Sequence, residues 1–340
     1  MEAYTDFARV YDELMDDTPY EAWCDFLLGV FCRYGVDDVS KRGKSISNDN
    51  GVIFENGEKV ADTEGATETS EVSLDAASEP TDKNLRQERN TILDLGCGTG
   101  TLTELLARKG YDMIGVDNAQ EMLQIAMEKR ERSGLDILYL LQDMRELELY
   151  GTVGTVVSVC DSLNYLLEEA DIVQTFARVN NYLYPQGIFI FDFNTVYKYA
   201  AVIGDATIAE NREDCSFIWE NYYHEEEEIN EYDLTVFVAE GRTASGRDAG
   251  ETVWQKENGR ENREAEERPL FRRFQEVHYQ RGYRLEQMKA LLLQAGLEFL
   301  EALDADTHGE VRAESERIYV VARKGAGTKA NQTVMQDTEM

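Results

Sequence analysis

The chain has 340 residues, 42% of them hydrophobic, and carries 67 acidic against 34 basic side chains, a net charge of −33 at pH 7. That hydrophobic share supports a sizeable core and excludes a wholly disordered chain, while five cysteines without paired spacing exclude a disulfide framework and read as reduced thiols. Residues 40–90 contribute only −4 and residues 240–269 only −2, so −27 stays with the rest of the chain, and a surface of that sign argues against a nucleic-acid partner.

The acidic opening, MEAYTDFARVYDELMDD, lacks the apolar centre of a signal peptide, and no apolar run is long enough to cross a bilayer. The expectation is a cytoplasmic protein with no membrane partner and no metal site. Residues 4–34 have helical spacing: Phe7, Val10, Tyr11 and Leu14 make one stripe, and Trp23, Phe26, Leu27, Val30 and Phe31 another, with Pro19 near a helix start. From 40 to 88 the pattern gives way to a polar, acidic stretch without period, read as a flexible insertion; 241–269 reads the same way. Between them, strands are expected at 91–95, 112–116, 137–141, 154–159 and 187–193, and helices at 99–109, 119–132 and 171–183. Such alternation implies a parallel sheet covered by helices on both faces. Past 193 the rhythm changes. Residues 215–223, 231–240 and 270–280 read as antiparallel strands, followed by a helix at 284–294, strands at 297–304 and 316–323, and a disordered tail over 325–340.

The stretch TILDLGCGTG, residues 91–100, places glycines at 96, 98 and 100 directly after the first strand. Glycine there permits a positive φ and lets a ligand reach the backbone, and in an open α/β sheet the ligand crevice lies at the carboxyl ends of the strands. A dinucleotide fingerprint would need its third glycine where Thr101 stands. With Asp94 two residues ahead of Gly96, the spacing instead resembles the first motif of class I S-adenosylmethionine-dependent methyltransferases, and later motifs of that family follow in order. YDMIGVDNAQEML puts Asp117 at the end of the second strand, where a carboxylate can accept from both ribose hydroxyls and can also cap the next helix. LYLLQDMREL puts Asp143 after the third strand, the acid that in the family meets the adenine amino group, flanked by Gln142 and Met144. VVSVCDSLNYL ends the fourth strand with Cys160, Asp161 and Ser162, and YLYPQGIFIFDF is similar to the family's turn into its fifth strand.

The resemblance implies an α/β, Rossmann-like seven-stranded methyltransferase sheet with a helical N-terminal lid (1–39) and an inserted antiparallel β cap (196–283). The core would comprise 89–195 and 284–324. It implies S-adenosyl-L-methionine as cofactor, S-adenosyl-L-homocysteine as product, and a small-molecule acceptor. The implied cofactor contacts are Tyr11, Asp94, Leu95, Gly96, Cys97, Gly98, Gly100, Asp117, Asn118, Met122, Gln142, Asp143, Met144, Cys160, Asp161 and Ser162. The opening helix and inserted strands look like those of small-molecule N-methyltransferases acting on glycine, sarcosine or amino sugars. In those relatives an N-terminal tyrosine closes over the cofactor, which nominates Tyr11 and then Tyr4. The 40–88 insertion departs from that pattern.

No catalytic triad is legible, and none is required, because the sulfonium is intrinsically reactive and the protein has mainly to desolvate and align. An amine must be neutral to attack, so Asp161, Tyr165 and His278 are candidate proton acceptors. Trp219, Tyr222 and Tyr223 are candidate substrate contacts; Trp23 reads as helix core, and His224 and His308 as solvent-facing. Methyl transfer to nitrogen or oxygen of a small molecule is the leading function. An RNA or protein methyltransferase, or a non-catalytic cofactor-binding regulator, are the alternatives.

Overall fold

The computed structural model describes residues 7–34, 54–55, 58–59, 88–239 and 270–325. Apart from the paired residues 54–55 and 58–59 and residue 88, the expected insertion at 40–88, the stretch 241–269, the tail beyond 325 and Tyr4 lie outside the described residues.

The sheet strands are β1 (Thr91–Leu95), β2 (Asp112–Asp117), β3 (Ile137–Leu141), β4 (Val153–Ser158), β5 (Leu183–Asn194), β10 (Leu297–Asp304) and β11 (Arg317–Lys324). They lie in the order β10-β11-β5-β4-β1-β2-β3. β1 to β5 run parallel, and β11 enters antiparallel between β5 and β10. The chain reverses its winding between β1 and β4, so the crevice expected of such sheets opens at their carboxyl ends.

Two-sided burial is written into β5 at period two. Phe189, Phe191 and Phe193 join one apolar cluster, with Phe176 and Val179 of α5 (Glu169–Tyr182) and Met288 and Leu292 of α6 (Leu285–Gln294). Ile188 and Ile190 join the other, with Leu27 and Phe31 of α2 (Tyr20–Tyr34) and Leu102 and Leu106 of α3 (Thr101–Arg108). The N-terminal region therefore divides. Helix α2 is part of the core layer, and only α1 (Ala8–Leu14) rides on α4 (Gln120–Ser133) as a lid, through Ala8 against Ala119 and Met122.

The cap is a four-stranded antiparallel sheet, one strand more than the sequence pattern indicated: β6 (Thr207–Asn211), β7 (Cys215–His224), β8 (Ile229–Ala239) and β9 (Phe271–Arg281), in the order β9-β8-β7-β6. β6, with the sequence TIAEN, is exposed throughout and so has no alternation to betray it. The inner face presents Phe217, Trp219, Tyr232, Leu234, Val236 and Phe274 to Val10 of α1. No helix among the described residues is long and apolar enough to cross a membrane.

Candidate active site

The loop from β1 into α3 is anchored by Gly96 and Cys97, whose N–H groups donate to Val116 O on β2 at 2.8 and 3.0 Å. Its glycines serve different ends. Gly98 has φ +53, and a Cβ there would meet nothing within 4 Å, so its missing side chain leaves a cradle facing open space. Gly100 has φ +74, and a Cβ there would lie 2.3 Å from Tyr139 Oη; its glycine serves packing, and it does not line the cavity described next.

That cavity, about 560 Å³, lies at the carboxyl ends of β1, β2 and β4 and falls within the usual range of roughly 300–1,000 Å³ for small-molecule sites. Asp117 lines it with both carboxylate oxygens engaged: Oδ2 accepts from Gly98 N and Oδ1 from Ala119 N, each at 2.8 Å. Each oxygen thus keeps a lone pair for a further donor; contrary to expectation Asp117 does not cap α4, whose N-cap is Ala119 and carries no side-chain cap. Burial pushes the Asp117 carboxyl up, opposed by those N–H groups. Asp94, 2% exposed, accepts from Thr103 Oγ1 at 2.6 Å. Burial pushes its pKa up to about 7, with the Thr103 bond pulling down and Asp117 adding repulsion.

On the far wall, Asp143 is gripped by the Arg145 guanidinium at 2.6–3.1 Å, and Arg145 reaches on to Asp171 at 3.0 Å. That grip holds the Asp143 carboxyl below its ordinary value. The Gln142 side chain folds onto its own loop, exchanging hydrogen bonds with the backbone of Glu148, and the residue borders the cavity.

The roof is α1. Tyr11 lines the cavity and sits 4.0 Å from Cys160 Sγ. Asp12 Oδ1 accepts from Thr99 Oγ1 at 2.6 Å, and Asp12 Oδ2 pairs with Lys129 Nζ at 2.6 Å; Lys129 also donates to Thr101 Oγ1 at 2.8 Å. On the other side Arg212 of the cap binds Glu13 O and pairs with Asp16 at 2.9 Å. Phe7 N donates to Glu276 Oε1 at 3.1 Å. The lid is thus fastened to core and cap together.

After β4, Cys160 and Asp161 both take positive φ, 66° and 53°. The fully buried Asp192 carboxylate accepts both their N–H groups, at 3.0 and 2.8 Å, and so fixes a turn these side chains would otherwise resist. Cys160 lines the cavity, its thiol pushed up to about 12 by burial and then by the Asp161 charge. The Asp161 side chain does not. Its oxygens accept from Gln280 Nε2 at 2.6 Å and Arg317 at 2.8 Å, which is why it braces the cap against the core rather than facing an acceptor.

Of the residues expected to bind cofactor, Tyr11, Asp94, Gly96, Cys97, Gly98, Asp117, Asn118, Met122, Gln142, Asp143, Met144, Cys160 and Ser162 line the cavity, and Leu95, Gly100 and Asp161 do not. Leu95 is fully buried in the core beneath it. Tyr165 lines the cavity; His278 lies behind it. Trp219 faces the lid and packs on Tyr232 with centroids 4.9 Å apart. Tyr223 lies on the same face as Trp219 but away from the cavity lining, and Tyr222, 43% exposed, points from the opposite face. The three therefore do not form one substrate wall, because residues alternate across a strand. Thr99, Tyr20 and Arg145 line the site without having been anticipated. Only Tyr20, an aromatic directly after Pro19 at a helix start, carried a signal.

A strand, a glycine turn and a helix, followed by a carboxylate at the end of the next strand, define a Rossmann-like nucleotide site. Residues 92–187 match the family described as a methyltransferase domain. Over 322 residues the chain is 31% identical to a methyltransferase-family protein of Geobacillus sp. (strain WCH70), spanning 94% of this chain and 99% of that one. The methyltransferase-family protein YqeM of Bacillus subtilis (strain 168) is 31% identical over 323 residues, 94% of this chain and 97% of its own. A solved S-adenosylmethionine-dependent methyltransferase from Clostridium acetobutylicum shares the fold with a TM-score of 0.66 at 24% identity, over 95% of this chain and 100% of that one. The chain belongs to the class I S-adenosylmethionine-dependent methyltransferases and is an enzyme of that class. The non-catalytic reading falls away.

Proposed function

We propose that the enzyme methylates a nitrogen or oxygen of a small molecule held between the cofactor cavity and the inner face of the cap. The observation that carries this reading is the lid: α1 closes over the cavity and is bonded to core and cap at once, a roof suited to a small acceptor rather than a polymer. When bound, S-adenosylmethionine supplies a methyl carbon whose bond to sulfur breaks, leaving the electron pair on sulfur, as the acceptor's lone pair forms the new bond.

The residues present fit that cofactor. Gly98 gives the backbone approach, Asp117 the two acceptor oxygens for a ribose, and Asp94 a buried carboxyl that an ammonium group would hold ionised. Met144 and Asp143, which line the cavity, would border a base held there. Asp94, Asp117, Glu121 and Asp143 outnumber Arg145 among the lining charges, which favours a cationic cofactor and an amine over an anionic acceptor. Tyr11 and Tyr165 exclude water at the end nearest the cap and leave it to side chains to take the acceptor's proton.

The test is methyl transfer from radiolabelled S-adenosylmethionine to a panel of primary and secondary amines, amino sugars and phenols, beside protein and RNA substrates. Turnover confined to small molecules is expected. Turnover on protein or RNA alone would overturn the reading.

A further inference from the structure

We propose that Glu276, His278 and Tyr165 form a proton relay that receives the proton given up by an amine or hydroxyl acceptor. The inference rests on the small-molecule reading above and names the acceptor chemistry: a group that carries a hydrogen to the methyl carbon.

Glu276, His278 and Gln280 alternate along β9 and so share the inner face of the cap. Tyr165, in the short turn Ser162–Tyr165 after β4, is the one of these groups that reaches the cavity wall. Its Oη lies 3.2 Å from His278 Nδ1 and 2.8 Å from Tyr232 Oη. Tyr232, directly opposite His278 on β8, stacks on the imidazole with centroids 4.8 Å apart and planes 5° from parallel. On the far side, His278 Nε2 faces Glu276 Oε2 at 3.4 Å. His278 is 2% exposed and Glu276 5%. A carboxylate, an imidazole and a phenol therefore stand in sequence, dry at one end and opening on the cavity at the other.

The turn that presents Tyr165 is held from both sides. Asn164 Nδ2 donates to Asn194 O of the core at 3.0 Å and to Arg281 O of the cap at 2.6 Å, and its Oδ1 accepts from Asn194 N at 2.9 Å. That clamp fixes the phenol against the imidazole, the geometry on which proton transfer depends.

One placement of hydrogens suits these contacts: Tyr232 O–H donates to Tyr165 Oη, Tyr165 O–H donates to His278 Nδ1, and the His278 proton sits on Nε2, which meets Glu276 Oε2 as a charge 3.4 Å away and not through a hydrogen bond. Burial pushes the Tyr232 phenol well up, so it stays a donor and does not compete for the transferred proton. As the acceptor gains its methyl group, its proton passes to Tyr165 Oη while the Tyr165 proton crosses to His278 Nδ1. The imidazolium so formed faces the Glu276 carboxylate, an opposite charge at ion-pair distance. Among the described residues, the titratable groups facing the imidazole include Glu276 on its own strand, Tyr232 on β8 and Tyr165 on the turn, with Cys160 and Asp161 beyond Tyr232. Glu276 Oε1 also accepts Phe7 N, so the relay's far end is tied to the lid.

Two measurements test the relay. Ring ¹⁵N spectra of the whole chain, with His278 assigned by its loss in His278→Gln, report the tautomer without any acceptor. The Nε2–H form is expected, and a proton on Nδ1 overturns the relay because that nitrogen could not then receive one. With the best acceptor of the panel, Tyr165→Phe and His278→Gln should each lower kcat at least ~100-fold while S-adenosylhomocysteine affinity stays within about threefold. Glu276→Gln keeps an acceptor for Phe7 N but removes the charge, so the acidic limb of the kcat/KM profile should move to lower pH. Wild-type turnover in the first two variants, or an unmoved limb in the third, overturns the relay. If the wild type methylates no small molecule, the proposed function fails by itself and the tautomer still decides the relay.

Discussion

Asp12 on the lid and Thr99 in the glycine loop are joined by a 2.6 Å hydrogen bond, with Lys129 of α4 completing the latch at 2.6 Å from the second Asp12 oxygen. The lid thereby closes on the part of the loop that borders the cofactor cavity. The Asp12 side chain is 39% exposed and Lys129 18%, so the latch contributes modestly, on the order of 1 kcal/mol. Asp12→Ala should weaken S-adenosylhomocysteine binding roughly fivefold, mostly through faster dissociation, with little change in melting temperature. Stopped-flow dissociation rates check this; an unchanged off-rate would mean that α1 does not move with ligand.

Gly98 and Gly100 separate ligand access from packing. A Cβ at 98 meets nothing within 4 Å, whereas at 100 it would lie 2.3 Å from Tyr139 Oη. Gly98→Ala should therefore cost only about 1 kcal/mol of stability from its positive φ, yet reduce S-adenosylhomocysteine affinity at least tenfold. Gly100→Ala should cost more stability, about 2–3 kcal/mol, with part recovered when Tyr139→Phe removes the clashing hydroxyl. Calorimetric titration and thermal melts on the same four proteins discriminate the two roles; equal affinity losses at both glycines would contradict it.

Arg317 sits between Asp161 at 2.8 Å and the fully buried Asp192 at 3.5 Å, its guanidinium 5.6 Å from the centre of the Trp23 ring. Burial pushes the Asp192 carboxyl up, opposed first by Arg317 and then by the Asp161 and Cys160 N–H groups. Arg317→Met leaves that carboxylate without its cation, and a loss of about 3–5 kcal/mol is expected, read by urea denaturation. The double variant Arg317→Met, Asp192→Asn should recover only part of it, because asparagine keeps one acceptor oxygen for the two N–H groups of Cys160 and Asp161. Failure to recover would place the loss in the Trp23 packing instead.

How legible all this was depends on the kind of signal each element carries. The parallel strands announced themselves because β4 and β5 are buried on both faces and read as apolar runs. The glycine loop and Asp117 were legible because backbone conformation and carboxylate placement are local properties. Glu276 was not. Its partners Phe7 and His278 come from a remote helix and from its own strand, and only the folding of the cap over α1 turns one glutamate of an acidic chain into part of the site. Asp161 misled for the same reason: a carboxylate after β4 suits the cleft until Arg317 and Gln280, more than a hundred residues on, turn it aside. Trp219 and Tyr222 were grouped by proximity in sequence, and the pleat placed them on opposite faces.

Asp94 links cofactor binding to protons. Its carboxyl titrates at about 7 in the folded chain because burial disfavours the charged form, against roughly 3.9 for an unfolded aspartate. A raised folded value means that the folded state keeps a proton the unfolded state has lost between about pH 4 and 7. The stability contribution of Asp94 is therefore full below pH 4, declines as pH rises to 7 and is flat beyond. Asp94→Asn should remove that slope, gaining in melting temperature over the wild type at pH 8 and losing the advantage near pH 4. A bound ammonium group beside Asp94 would favour the carboxylate and expel the proton, so S-adenosylhomocysteine affinity should rise with pH between about 6 and 8. At pH 7 the wild type should release about half a proton on binding, measured by calorimetry in buffers of different ionisation enthalpy, and Asp94→Asn should release none. No release by the wild type would mean that Asp94 does not meet the ligand's charge, leaving it to brace the loop through Thr103 alone.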